Sequence, residues 1–164
     1  MAHLFFIRMK TTSTLLALLA LLFSGCATVC GTEPEPCLNT ALAVKSLETE
    51  YGCQNTIRQM SINLSETYTV IRSQQEFNQR VSGTCRPQID FATYDLVIGK
   101  KGLANGPGGI NYTLQQDCNS NNMTLHVAIG RSLTTEAPNI TYHALIPKLA
   151  AGQEVGVQVE VKSK

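Results

Sequence analysis

The stretch Met123–Lys162, MTLHVAIGRSLTTEAPNITYHALIPKLAAGQEVGVQVEVK, decides how this chain folds. Three segments in it, Met123–Gly130, Asn139–Pro147 and Val155–Lys162, alternate apolar and polar residues with a period of two. That is the spacing with which a strand places side chains on opposite faces. Leu125, Val127 and Ile129 form one inward set, and Ile140, Tyr142, Ala144 and Ile146 a second. Val155, Val157, Val159 and Val161 form a third. A hairpin closing about Arg131–Pro138 would set His126 opposite His143 on an outward face, with Cβ atoms about 5 Å apart. Gln158 or Glu160 of the last strand would then lie beside His143.

Working outward, Tyr68–Arg72 (YTVIR) is β-branched and strand-like, and Ser73 opens SQQEFNQRV with Glu76 three residues on. That is capping-box spacing, and Phe77 and Val81 supply one apolar stripe, so a short helix is expected over 74–81. Thr93–Gly99 (TYDLVIG) reads as a strand with a continuous apolar centre. Gly102–Gly109 (GLANGPGG) reads as a flexible loop, and Ile110–Gln116 (INYTLQQ) as an alternating strand. Ala43–Cys53 and Arg58–Leu64 are weaker strand candidates. Sequential hairpins imply a mainly β chain of α+β class, an antiparallel sheet or sandwich with one short helix packed against it.

Upstream, Leu15–Cys26 (LLALLALLFSGC) joins a short apolar run to Ser24-Gly25-Cys26. About ten apolar residues cannot span a ~30 Å hydrocarbon core, so the run reads as a signal-peptide core. The ending resembles the lipobox of bacterial lipoproteins, with Phe23 where Leu is usual. It implies cleavage before Cys26 and a lipid on its sulfur. Residues 1–25 are then a lipoprotein signal peptide, 26–41 a lipidated cysteine with a Pro- and Glu-containing tether, and 42–164 one mainly β domain. The expected place is the bacterial cell envelope, lipid-anchored at the outer membrane, on its periplasmic or surface side.

The net charge of +1 is spread over scattered Lys and Arg. No basic stripe exists to neutralise phosphates, so a nucleic-acid partner is not expected. Of the six cysteines, the five beyond Cys26 fit no zinc spacing and favour disulfides. Acylating Cys26 leaves an odd five. Cys53 with Cys85 is the preferred pair, and Cys85 with Cys118 the competitor.

Motifs for chemistry are sparse. His126, His143 and Glu160 are the one set that could hold a divalent metal, weighed against an ordinary exposed His pair; the reading taken is no metal and no cofactor. GLANGPGG lacks the GK[ST] ending of a phosphate loop, and a sheet follows it instead of a helix. Asp90, Asp95 and Asp117 could join a His and a Ser on paper. No nucleophile elbow is present, so no catalytic residue is assigned.

From about Tyr68 to Leu149 the order of features resembles the protease-complex-subunit (PrcB-like) family of small bacterial lipoproteins. The matching elements are YTVIRSQQEFNQRV, Ile89-Asp90-Phe91, DLVIG, a glycine-rich loop ending Gly108-Gly109, and Tyr142–Lys148 (YHALIPK). The family usually carries an aromatic directly after the Gly-Gly pair, whereas Ile110-Asn111 here precede Tyr112. The resemblance implies a non-catalytic subunit that binds or stabilises another envelope or secreted protein, in the founding case a protease. Gly102, Asn105, Gly106, Pro107, Gly108, Gly109 and Tyr112 form the expected contact loop. That loop also looks like those of small β-sandwich inhibitors of cysteine proteases, so inhibition is the alternative. A metal-dependent hydrolase is the third reading.

Overall fold

Strands buried on both faces organise this molecule, and they explain where sequence and structure part. In a computed structural model of the chain, residues 36–162 are described. A compact unit begins at Cys37. Its strands are β1 (Thr40–Leu42), β2 (Met60–Ile62), β3 (Tyr68–Ile71), β4 (Val81–Gly83), β5 (Tyr94–Gly102), β6 (Pro107–Gln116), β7 (Met123–Arg131), β8 (Asn139–Pro147) and β9 (Val155–Lys162). The helices are α1 (Leu47–Tyr51), α2 (Thr56–Gln59) and α3 (Gln74–Arg80). The fold is mainly β, as the alternation implies.

One sheet has the order β1-β6-β7-β9, a second the order β3-β5-β8, and β2 pairs with β4 alone. All pairings are antiparallel except β7 with β9, which run parallel. The expected β7–β8 hairpin does not form. β8 crosses to the other sheet and serves as the long connection that a parallel pair needs. β1 also corrects the tether: Thr40 and Ala41 already pair with Gln116 and Gln115 of β6.

Between the two sheets lie Leu114, Leu125, Val127, Ile129, Ile140, Tyr142, Ala144 and Ile146. Gly99 stands opposite Tyr142 in the β5–β8 ladder, and a Cβ there would collide with the phenol ring. On the far side of β3-β5-β8 a second core gathers Leu47, Met60, Ile62, Ile71, Phe77, Val81, Leu96, Ile98 and Leu145 beneath the helices. β5 and β8 are therefore covered on both faces, like strands of a layered α/β sheet.

α3 follows its signal closely. The Ser73 hydroxyl accepts from the Glu76 N–H at 3.2 Å, and the Glu76 carboxylate reaches back to the N–H of Arg72 at 3.3 Å. α1 replaces the strand expected over Ala43–Cys53. Ser46 and Thr49 cap it reciprocally, a capping box with Thr in the place of the usual Glu.

Cys53 pairs with Cys85, tying the end of α1 to the segment after β4. Cys37 pairs with Cys118, which removes the Cys85–Cys118 alternative. Cys26 and Cys30 lie outside the described residues. No helix among the described residues is long and apolar enough to cross a membrane.

Candidate functional site

A cleft of about 360 Å³ opens where the segment Val44–Thr49 and α2 meet the start of β6 and the middle of β8. Its apolar walls are Val44, Ile57 and Ile110, each partly buried against the inter-sheet core. Its polar floor is His143, Glu48, Thr56 and Tyr112.

The floor is assembled from the neighbouring helices α1 and α2 and from β6 and β8. β8 is the edge of its sheet, so its outward N–H groups need partners. Lys45 supplies one bridge: its N–H donates to Leu145 O at 3.1 Å, and the Leu145 N–H donates to Lys45 O at 2.8 Å. The next outward group, the N–H of His143, donates to the Tyr112 hydroxyl at 3.1 Å. Burial pushes the Tyr112 phenol well above the usual tyrosine range.

His143 itself is only 2% exposed. Its Nε2 accepts from the Leu47 N–H at 3.1 Å and stands 3.1 Å from Glu48 Oε2. One nitrogen thus faces a donor and an acceptor. Without a proton it accepts from Leu47; with one it donates to Glu48. Nδ1 is buried without a protein partner. The Thr56 hydroxyl donates to Glu48 Oε1. Burial opposes the charge on Glu48, but hydrogen bonds from His143 and Thr56 outweigh it and hold the carboxyl well below the usual range.

The expected His pair is not assembled. His126 stands opposite Thr113 and Gln158 on the outer face of β7, and Glu160 stands opposite Ala128. His143 stands opposite Ile98 in the other sheet, on the side covered by α1. It faces inward because β8 has no wet face, so the alternation that marks solvent on β7 does not do so there. Among the described residues, no group of three or more His, Cys, Asp or Glu is placed to hold a metal ion.

The glycine-rich segment is shorter and tighter than a flexible loop. Gly102 ends β5, and its N–H donates to Glu66 Oε1 at 3.1 Å. Asn105 reaches Thr134 O at 3.4 Å, and Gly106 packs so closely on Ser132 and Thr134 that a Cβ would collide with both. Pro107 opens β6 opposite Arg131, while Gly108 and Gly109 form a bulge before Ile110 resumes pairing. Of the seven expected contact residues, Tyr112 alone enters the cleft.

The aspartates serve the scaffold. Asp95 is fully buried, 2.6 Å from Lys148 Nζ, and accepts from the Leu149 N–H at 3.1 Å. Asp90 accepts from the Ala92 N–H, and Asp117 holds the Asn119–Ser120 turn. Glu48 and Thr56 were the floor residues that sequence reading missed; the Ser46-x-x-Thr49 spacing was the signal for the helix that carries Glu48. No family model, curated protein or solved structure matches this chain.

Proposed function

We propose that this is a lipid-anchored envelope protein whose β domain binds another exported protein, without catalysis of its own. Residues 1–25 act as the signal peptide and Cys26 carries the lipid. The resemblance of Tyr68–Leu149 to the PrcB-like lipoproteins supports the same reading, and two disulfides suit an oxidising compartment.

The observation that carries the binding role is how the cleft divides its labour. Glu48, Thr56, His143 and Tyr112 bond one another or the backbone. Val44, Ile57 and Ile110 meanwhile leave apolar surface at the opening. A concave apolar site on a rigid polar base suits an inserted aliphatic side chain of a partner. Ser46 and Asn111 at the rim offer polar groups to the partner backbone.

Affinity capture from detergent-solubilised envelope tests this, with wild type beside Ile57→Arg. The partner retained by wild type should be lost with Ile57→Arg, while both variants keep the same thermal transition. Retrieval of the same proteins by both would reject the cleft as the binding site.

A further inference from the structure

The last strand presents an open edge that is complementary to itself. β9 is the terminal strand of β1-β6-β7-β9, and among the described residues nothing else pairs with it. In a parallel ladder, alternate residues turn both backbone groups toward the neighbouring strand, and the residues between turn both away. Glu154 O accepts from the Met123 N–H at 2.8 Å, so the even-numbered residues of β9 face β7. The N–H and C=O groups of Val157, Val159 and Val161 therefore face outward. Val155 follows the same rule, and its carbonyl is already taken by the Tyr68 hydroxyl at 3.1 Å.

We infer that β9 pairs antiparallel with β9 of a second copy, centred on Val159, to make one continuous sheet across a twofold axis. In that register Val159 faces itself, and Val157 faces Val161 of the second copy. Val157, Val159 and Val161 then all form hydrogen-bonded pairs, six bonds by symmetry. The side-chain faces also match. Valines meet valines on the inner face, while Gln158 meets Glu160 and Gly156 meets Lys162 on the outer face.

Neighbouring registers are poorer for specific reasons. Centring on Gln158 places Val155 opposite Val161 and calls on the carbonyl that Tyr68 occupies. Centring on Glu160 sets two carboxylates directly opposite each other, which is destabilising in a sheet. Centring on Val161 runs past the end of the strand. The twofold closes on itself, so the association stops at two copies. It would also cover an edge that otherwise invites indiscriminate pairing.

Cysteine scanning in intact cells expressing the full chain tests the register. Under mild oxidation, Val159→Cys should give a covalent dimer of this chain. Val157→Cys and Val161→Cys should not when expressed singly, because each would stand about 13 Å from its own copy at ~3.3 Å per residue. Co-expressed, those two should cross-link with each other. Val159→Pro removes an outward N–H and no hydrogen bond of the β7 ladder, and should abolish that mixed dimer while the Cys53–Cys85 disulfide still forms. Monomer at every position, dimers of equal yield at all three, or linkage of Cys at 159 to a different protein would each overturn the proposal.

Discussion

Nε2 of His143 lies 3.1 Å from Oε2 of Glu48, joining the middle of an edge strand to the first turn of a helix far away in sequence. The same nitrogen meets the Leu47 N–H at 3.1 Å. The contact fixes α1 over β8 and gives the cleft its floor.

Acid should expose the worth of this contact. His143 and Thr56 hold the Glu48 carboxyl low against the opposing effect of burial. The folded chain therefore takes up this proton less readily than the unfolded chain, whose glutamates titrate near ~4.3. The contribution is complete above about pH 4.3 and drains away as pH falls below it. Glu48→Gln should lower the urea midpoint at pH 7, and the gap from wild type should narrow at pH 3.5. An equal gap at both pH values would contradict the role given to Glu48.

Asp95 is fully buried between Lys148 and the Leu149 N–H. Losing its charge leaves the Lys148 ammonium and the Arg72 guanidinium, 3.9 Å away, without their carboxylate, although both groups can turn toward solvent. Asp95→Asn should cost about 2–3 kcal/mol, somewhat less than breaking a fully enclosed pair. Denaturant unfolding with an unchanged slope measures it, and a loss below about 0.5 kcal/mol would show the pair to be idle.

The Cys53–Cys85 bridge closes a loop of sequence separation 32. Chain entropy alone assigns such a closure about 3–4 kcal/mol. The double variant Cys53→Ala/Cys85→Ala should lose stability of that order in urea unfolding. A loss below about 1 kcal/mol would place the stabilisation elsewhere.

Cys26→Ser should move the protein from the membrane pellet to the soluble fraction of lysed cells. Continued sedimentation of the variant with membranes would contradict the lipid anchor.

Much of the frame was legible in the residues. The Ser73 cap and the Phe77 stripe marked α3, and period-two alternation placed β7, β8 and β9 within a residue of their observed ends. What alternation cannot report is which sheet a strand joins. In NITYHALIP every residue from Ile140 to Ile146 is buried, so His143 occupies the polar phase of the pattern yet points under a helix. The cleft was hidden for the same reason. Its floor depends on α1, whose Ser46–Thr49 box lacks the familiar Glu, and on β8 crossing between sheets. Tyr112 was read as part of a flexible contact loop; it lies within β6, and its hydroxyl caps the edge of β8.

The binding role of the cleft is tested most directly by a photo-activatable side chain at Ile57, on its wall, compared with one at Thr113, on the outer face of β6. Irradiation of intact cells should yield a discrete adduct with one other exported protein from position 57 and none from position 113. Equal labelling at the two positions, or no adduct from 57, would contradict the account.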